Sequence, residues 1–272
     1  MSPGPTLRDA LRVKPGTTVD LSRIDPRETL GHERDRAEEE TAEQLVRLAE
    51  LQDRFWAESK RALLVVLQGM DAAGKDGTIG KVMEAFNPQG CVVSSFKVPT
   101  PEELAHDFLW RIHRRVPGKG TIGIFNRSHY EDVLIVRVRE LVPADVWAAR
   151  YDQIREFERL LTETGTTIVK FFLYIDRDEQ RERFQARYDD PTKRWKFSMG
   201  DLDERAHWDD YMAAYQDALS KSSTNDAPWY IIPSNRKWFR NLAVASIMAD
   251  TMAALKPDYP PAPELPENLV IE

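Results

Sequence analysis

Residues 62–81, which read A62-LLVVLQGMDAAGKDGTIG-K81, decide the fold of this chain. The run 62–68 is apolar up to its last residue, which is typical of a strand buried on both faces. The residues from Gly69 to Lys75 follow at once and match the pattern G-x-x-x-x-G-K. At a turn from a strand to a helix, such glycines let backbone N–H groups face phosphate oxygens, and the lysine adds positive charge. The stretch therefore predicts a phosphate-binding loop, whose residues are Gly69, Ala72, Ala73, Gly74, Lys75, Asp76, Gly77 and Thr78.

The loop departs from the usual pattern at two acidic positions. Asp76 follows Lys75, where ordinary P-loop enzymes carry the Ser or Thr whose hydroxyl binds Mg²⁺, and Asp71 adds another carboxylate. A metal ion must then be held by groups other than the usual Ser or Thr hydroxyl. We expect Asp71 to bind Mg²⁺ directly or through water, whereas the alternative is a loop aspartate that bonds its own backbone.

Four more apolar, β-branched runs follow along the chain, and each precedes a stretch with helical spacing. The predicted strands are 62–68, 91–97, 121–127, 166–176 and 229–234. The predicted helices are 33–59, 78–87, 101–116, 128–140, 144–163, 177–189 and 236–255. A strand followed by a helix, five times over, predicts an α/β fold in which a parallel five-stranded sheet is covered by helices on both faces.

A second polar constellation, comprising Asn126, Arg127, Glu131 and Asp132, follows the third predicted strand. Ligands of an open parallel sheet lie beyond the carboxyl ends of its strands, so these residues are expected beside the phosphate loop, with Asn126 and Arg127 contacting phosphate. Arg127 can clamp a phosphate through two N–H groups, and the two carboxylates can hold a metal ion or orient the attacking oxygen. The alternative is a helix start, at which Asn126 is a cap and the acidic residues favour the helix dipole.

A polar insertion, 191–224, separates the helix predicted at 177–189 from the last predicted strand. A segment of that length between the last strands of a sheet is a candidate mobile lid. Arg183 and Arg187 are four residues apart and therefore on one helix face, and with Lys193 they would place positive charge over the phosphates. Ion pairing of these cations within the helix is the competing interpretation.

Composition divides the chain into three parts. Residues 1–60 comprise an arm, expected either to lie on another surface or to be loose, and an amphipathic helix expected to pack on the main domain or on a second subunit. Residues 61–256 form the main domain, with its lid at about 180–224, and residues 257–272 an extended tail. The net charge of the chain is -7, but residues 61–256 carry 28 acidic and 28 basic residues. A focused positive site for a polyanion is compatible with this balance.

The composition excludes several classes of protein. No apolar stretch is long enough to span a bilayer, and the N-terminus lacks the apolar core of a secretory signal. Cys91 is the single cysteine, so an internal disulfide is impossible and a reducing, cytoplasmic location is expected. Neither a membrane nor a nucleic acid is expected as a partner.

Three long motifs together resemble the family-2 polyphosphate kinases: GMDAAGKDGT at 69–78, IFNRSHYEDVLIVRV at 124–138 and DDPTKRWKFSMGDLDERAHWDDY at 189–211. The similarity extends from about residue 30 to residue 258. The resemblance implies a P-loop kinase core akin to thymidylate kinase, with three layers and a helical lid. It also implies dependence on Mg²⁺, with Mn²⁺ as the alternative ion, and phosphoryl transfer between inorganic polyphosphate and a nucleotide. A homo-oligomer, either a dimer or a tetramer, is implied as well.

Position by position, the resemblance implies roles for five residues of the site. Asp71 and Asp132 are similar to the acidic pair that organises Mg²⁺ and the acceptor phosphate. Lys75 and Arg127 are similar to the phosphate-binding residues, and Arg183 is similar to the lid arginine. In-line transfer then needs these positive charges to align two polyanions and requires little covalent chemistry from the protein.

The run Tyr130-Glu131-Asp132 is similar to the class that accepts both nucleoside mono- and diphosphates. Adenine nucleotides are therefore the expected acceptors, with guanine nucleotides as the alternative. His129 is the nearest histidine, but a phosphohistidine intermediate needs more assumptions than direct transfer.

Two other functions compete with this interpretation. An ATP-dependent nucleoside-monophosphate or small-molecule kinase on the same core would be expected to carry Ser or Thr after Lys75. A non-catalytic nucleotide-binding regulator would gain nothing from the carboxylates Asp71 and Asp132 in the absence of a metal.

Overall fold

The computed structural model describes residues 6–264. Its centre is a parallel sheet of five strands, in the order β2-β3-β1-β4-β5. The strands are β1 (Ala62–Gln68), β2 (Cys91–Ser95), β3 (Ile122–Asn126), β4 (Thr166–Tyr174) and β5 (Trp229–Pro233). Every residue of β1 is buried, and since successive side chains point to opposite faces, the sheet is covered on both sides there. The α/β class and the five parallel strands predicted from the sequence are confirmed.

The register of the sheet brings the polar strand ends together. Leu67 of β1 pairs with Asn126, the last residue of β3, and Gln68 pairs with Phe172 of β4. The loop after β1 therefore leaves the sheet beside Arg127, which follows β3. This is the edge at which ligands of open parallel sheets bind.

Helices connect the strands and form the outer layers. The α-helices are α1 (Leu7–Ala10), α2 (Arg34–Glu58), α3 (Lys75–Val82), α4 (Pro101–Leu104), α5 (Trp110–His113), α6 (Ile135–Val138), α7 (Ala144–Glu163), α8 (Arg177–Asp189), α9 (Met199–Ala206), α10 (Trp208–Ser222) and α11 (Lys237–Leu255). Short 3₁₀ turns span Leu21–Arg23, Met83–Ala85, Pro88–Gly90, His129–Val133 and Arg194–Lys196. The helices predicted at 144–163 and 177–189 coincide with α7 and α8. No helix within the described range is long and apolar enough to cross a membrane.

Two predicted helices are broken. The segment 101–116 divides into α4 and α5 because the Asp107 carboxylate accepts the backbone N–H of Leu109 (2.9 Å) and starts a new turn. The segment 128–140 begins as the 3₁₀ turn His129–Val133, here called the site turn, and α6 starts only after a kink at Leu134 (φ -106°, ψ -92°). The side chains of the site turn therefore do not follow the spacing of an α-helix.

The N-terminal arm lies on the sheet. Val13 N–H donates to the carbonyl oxygen of Trp229 (2.9 Å), and Ile231 N–H donates to that of Leu11 (3.0 Å), so the arm pairs with the edge strand β5. Leu21 is buried beyond this contact. The arm is therefore not loose in this structure but lies on the main domain. Helix α2 packs against α11, within the chain.

The insertion contains two different kinds of helix. Helix α10 packs against α7 and buries Ala214, Ala218 and Leu219, so it belongs to the core. The exposed part of the predicted lid is the stretch 190–206, where Trp195 and Met199 are largely exposed. Residues 257–264 of the predicted tail have no regular structure, and 265–272 lie outside the described residues.

Candidate active site

The loop between β1 and α3 turns so tightly that two of its positions require glycine. Gly69 has a φ of +156°, and a Cβ atom there would lie 2.7 Å from the carbonyl oxygen of Leu173. Gly74 has a φ of +111° and precedes the first residue of α3, Lys75. The Lys75 Nζ atom donates to the carbonyl oxygens of Gly69 (2.6 Å) and Met70 (3.2 Å) and so bridges the loop. The ammonium group is thus held at the first residue of α3, where the positive end of the helix also favours an anion.

The other predicted loop residues shape this turn or line its outer side. Ala72 has a left-handed φ of +65°, Ala73 is buried, and the Thr78 hydroxyl donates to a loop carbonyl rather than facing outward. Asp76 accepts a hydrogen bond from the Asn126 side chain (2.9 Å). The residue that replaces the usual Ser or Thr is thereby tied to the end of β3.

Arg240 lies behind the loop and was not identified from the sequence. It is 3% exposed, and its Nε and Nη2 atoms donate to the Asn241 side chain (3.1 and 2.8 Å). No carboxylate among residues 6–264 forms a salt bridge with it. Burial, together with the neighbouring Arg183, lowers the pKa of Arg240 to about 10. The one signal in the sequence is an arginine within the predominantly apolar helix α11.

The close approach of Arg240 makes a prediction for Gly74→Ala. The added Cβ would lie 1.9 Å from Arg240 Nη1, and alanine would be strained at this φ by about 1–3 kcal/mol. We expect lower thermal stability and loss of phosphoryl transfer, measured by thermal unfolding and a coupled assay. Gly80→Ala in the same helix is the matched control, because no atom lies within 4 Å of its Cβ position, and it should stabilise α3 slightly. Equal behaviour of the two variants would contradict the assigned loop conformation.

Arg127 and Asp71 form an ion pair at the mouth of the loop. Arg127 has a left-handed φ of +62°, and its Nη2 atom donates to Asp71 Oδ1 (2.6 Å). Burial alone would raise the pKa of Asp71, but Lys75 and Arg127 outweigh this effect, so the pKa lies below its ordinary value. Both side chains of the pair keep contact with solvent: that of Asp71 is 24% exposed and that of Arg127 is 38% exposed. Asp71 is therefore a carboxylate that incoming cations and phosphates can reach.

Glu131 and Asp132 are adjacent in the site turn but have different surroundings. Glu131 accepts a hydrogen bond from Gln68 Nε2 (3.0 Å), whereas Asp132 accepts one from Arg150 Nη1 (3.0 Å). Burial raises the pKa of Asp132 to about 6, although Arg150 opposes the shift. A cavity of about 40 Å³ at the loop is lined by Gly69, Met70, Asp71, Arg127, Glu131, Leu134, Ile135, Glu204, Tyr211 and Tyr215. Of the two carboxylates of the site turn, Glu131 therefore shares this cavity with Asp71 and Asp132 does not. Glu204 of α9 lines the cavity as well, but it is paired with Arg139 (2.8 Å). A metal-binding role for Asp132 stays a prediction.

The three basic residues predicted to cover the phosphates are all ion-paired. Arg183 donates through Nε to Glu179 (2.7 Å), and its terminal nitrogens donate to the backbone carbonyls of Ala72, Ala73, Ser234 and Asn235. It thus ties α8 to the back of the loop. Arg187 lies 3.5 Å from Asp201 of α9, and Lys193 bonds the carboxylate three residues before it (2.6 Å). Contact of these residues with phosphate stays a prediction and requires the pairs to open.

His129 is fully buried and faces away from the loop. Its Nε2 atom lies 3.1 Å from Glu158 Oε1, and Glu158 also pairs with Lys170. A phosphohistidine at this position would need the core to open. Sequence analysis missed Glu158 and Lys170, although a lysine inside the apolar run 166–176 is a visible signal.

Comparison with known proteins identifies relatives over nearly the whole chain. The AMP/ADP-polyphosphate phosphotransferase of Meiothermus ruber is 52% identical over 263 residues, which cover 96% of this chain and 98% of the relative. The ADP-polyphosphate phosphotransferase of Rhodopseudomonas palustris is 47% identical over 265 residues, or 92% of this chain and 91% of that protein.

A solved structure and a family model agree with these relatives. The crystal structure of polyphosphate kinase 2 from Arthrobacter aurescens TC1 superposes with a TM-score of 0.92 at 46% identity, covering 95% of this chain and 93% of that one. The family model for polyphosphate kinase 2 matches residues 31–260. The resemblance noted in the three motifs is thereby confirmed: this chain belongs to the polyphosphate kinase 2 family and is a phosphotransferase.

Proposed function

We propose that this protein transfers phosphoryl groups between inorganic polyphosphate and adenine nucleotides, converting AMP to ADP and ADP to ATP. The observation that carries the proposal is the bridged loop, where buried Lys75 stands with Arg127, Asp71 and Glu131 at the edge of the sheet. Cations and carboxylates in one site suit a reaction between two polyanions, because the charge of both must be neutralised and aligned. The names of the relatives, which pair polyphosphate with AMP or ADP, support the same reaction.

Mg²⁺ is the proposed cofactor, with Mn²⁺ as the alternative. Protein sites for Mg²⁺ commonly supply one or two carboxylates and leave the remaining positions to water and substrate phosphates. Asp71 and Glu131 line one cavity and fit this pattern. Within residues 6–264, His, Cys, Asp and Glu form no cluster of three or more that is suited to a metal. We therefore expect Asp71, with Glu131 or Asp132, to hold the ion together with bound phosphates, whose negative charge the ion would neutralise.

The protein's own residues bind and align the reactants. Lys75 would contact the terminal phosphates of polyphosphate, and Arg127 would exchange part of its contact with Asp71 for a phosphate oxygen. In the in-line step, a terminal phosphate oxygen of AMP or ADP forms a bond to the last phosphorus of polyphosphate, and the bond from that phosphorus to the bridging oxygen breaks. The nucleotide gains one phosphoryl group and the polyphosphate loses one. No covalent enzyme intermediate is required, in agreement with the burial of His129.

Acceptance of both AMP and ADP is the finer part of the proposal. The run Tyr130-Glu131-Asp132 supports it through resemblance, and so does the name of the Meiothermus ruber relative. The Rhodopseudomonas palustris relative is named for ADP alone. The acceptor range of this chain is therefore a point for experiment, with guanine nucleotides as further candidates.

The proposal also includes assembly as a homo-oligomer and a cytoplasmic location. A homo-oligomer of two or four chains is supported by the edge strand β2, where Val92 and Val93 are 56% and 47% exposed. Exposed apolar edge strands commonly mark surfaces that pair with another chain. The single cysteine fits a cytoplasmic location.

The direct test supplies long-chain polyphosphate as the sole donor, with Mg²⁺ and with AMP, ADP, GMP or GDP as acceptor. We expect formation of ADP from AMP and of ATP from ADP, measured by a coupled or radiolabelled assay, and loss of both reactions when EDTA removes the metal. Turnover with ATP as donor but none with polyphosphate would contradict the proposal and favour an ATP-dependent kinase. Nucleotide binding without turnover by either donor would favour a regulator.

A further inference from the structure

A buried ionic network lies directly behind the site turn. The Lys170 Nζ atom, on β4, donates to Glu158 Oε2 of α7 (2.6 Å), to the Tyr130 hydroxyl (2.8 Å) and to the carbonyl oxygen of Ser222 (2.8 Å). The Tyr130 hydroxyl donates to Glu158 Oε1 (2.8 Å), and His129 Nε2 lies 3.1 Å from the same oxygen. The residues Lys170, Glu158, Tyr130 and His129 are at most 1% exposed. The network thus joins two neighbouring residues of the site turn to two elements of the core.

Stability of the fold alone does not account for this network. Taking the charges of Lys170 and Glu158 out of water is costly, and apolar side chains of similar volume often replace a buried ion pair with no loss of stability. The aromatic contact of Tyr130 with Trp229, at 4.7 Å between ring centroids, already packs this region. Hydrogen bonds are directional, so the bonds among Lys170, Glu158 and Tyr130 fix the positions of these side chains and of the backbone that carries them, although His129 Nδ1 has no partner. The network is better suited to placing the site turn than to holding the core together.

The site turn needs an anchor because the backbone around it is irregular. Arg127 precedes it with a left-handed φ of +62°, and Leu134 follows it outside the helical region. Such conformations persist only where the surroundings over-determine them. Within the turn, Glu131 lines the loop cavity whereas Asp132 bonds an arginine outside it. A small rotation of the turn would therefore misdirect both carboxylates.

We propose that Glu158 and Lys170 are positioning residues for phosphoryl transfer. Through Tyr130 and His129 they hold the site turn so that Glu131 faces the loop cavity. This inference rests on the proposed function, because it assigns the turn to binding of the acceptor nucleotide and its metal ion. Loss of the anchor should weaken binding of the acceptor while leaving the polyphosphate side of the loop, built on β1 and α3, unchanged.

Tyr130→Phe tests the anchor with the least change in volume, since it removes only the hydroxyl between Lys170 and Glu158. We expect the KM for AMP to rise about tenfold, as is typical when an outer partner of a site is lost, and the KM for polyphosphate to stay unchanged. Hydrogen–deuterium exchange should become faster in 127–135 and not elsewhere. Tyr174→Phe is the matched control, because the one hydrogen bond that it loses, to the carbonyl oxygen of Leu21 (3.1 Å), belongs neither to the network nor to the site turn. It should alter neither KM.

A second variant separates positioning from stability. Lys170→Met alone leaves Glu158 buried without a cation and should lower the thermal midpoint strongly. The double variant Glu158→Leu, Lys170→Met removes both charges and should regain most of that stability. It should nevertheless keep the raised KM for AMP. Wild-type KM values in a folded double variant would overturn the proposal, because the network would then be structural only.

Hydrogen–deuterium exchange distinguishes a failure of the anchoring role from a failure of the proposed function. If the wild-type protein shows no turnover with polyphosphate, the proposed function fails, yet faster exchange of 127–135 in Tyr130→Phe still supports the anchoring role. Exchange equal to that of the wild type in this segment would overturn it. If the double variant does not fold, the KM values and the exchange rates of Tyr130→Phe and Tyr174→Phe are sufficient to test the anchoring role.

Discussion

Lys75→Ala is expected to lower kcat/KM for phosphorylation of ADP by polyphosphate about 10³-fold, with the protein still folded. The expectation follows from the position of the ammonium group, which the carbonyl oxygens of Gly69 and Met70 hold inside the loop. In the transfer step, negative charge crowds at the migrating phosphoryl group, and a fixed cation there costs no reorganisation. A coupled assay at saturating polyphosphate, compared with one at low polyphosphate, separates lost chemistry from lost binding.

The same substitution is expected not to destabilise the fold. Burial, together with Arg127, lowers the pKa of Lys75, which means that its charged form is held at a cost in free energy. Removing the ammonium group should therefore leave the thermal midpoint unchanged or raise it, as is common where a functional residue is not at its most stable. Lys81→Ala, at an exposed residue of the same helix paired with Glu84, is the control and should keep full activity. Wild-type rates in Lys75→Ala would refute the assignment of the loop.

The strands and the phosphate loop were predictable from the sequence because both depend on local patterns. An apolar run of strand length, followed by G-x-x-x-x-G-K, specifies a buried strand and the turn after it without reference to distant residues. Helices α7 and α8 were predictable for the same reason, since Pro143 precedes the first and Asp176 caps the second. In each case the information lies within the segment itself.

The details of the site were not predictable, because they depend on contacts between distant segments. Glu131 faces the loop cavity only because the turn that carries it is 3₁₀, and that turn is fixed by bonds to Glu158 and Gln68. Arg183 was expected over the phosphates, whereas its donors meet backbone carbonyls behind the loop. Helical spacing gives the face of a side chain but not the partner that it meets there.

Asp71→Asn is expected to lower turnover by about 10²–10³-fold at physiological Mg²⁺, with no loss of folding. The amide keeps the size of the side chain but loses the negative charge that pairs with Arg127 at 2.6 Å and that a metal ion would need. The concentration of Mg²⁺ that gives half-maximal activity should rise, and Mn²⁺, which binds such sites more readily, should recover more activity than Mg²⁺. Asp178→Asn, at an exposed carboxylate of α8, is the matched control. It should change neither the turnover rate nor the Mg²⁺ concentration that gives half-maximal activity.

The second carboxylate of the metal site can be identified by measuring, in further variants, the Mg²⁺ concentration that gives half-maximal activity. Glu131 shares the loop cavity with Asp71, whereas Asp132 lies outside it and is held by Arg150, and burial raises the pKa of Asp132 to about 6. Glu131→Gln is therefore expected to raise the Mg²⁺ requirement more than Asp132→Asn does. The reverse order would support the pairing of Asp71 with Asp132 that the resemblance implies, and it would mean that the site turn rotates when phosphates bind. The comparison of the two variants thus tests whether the site turn, as described, already has the arrangement used in the reaction.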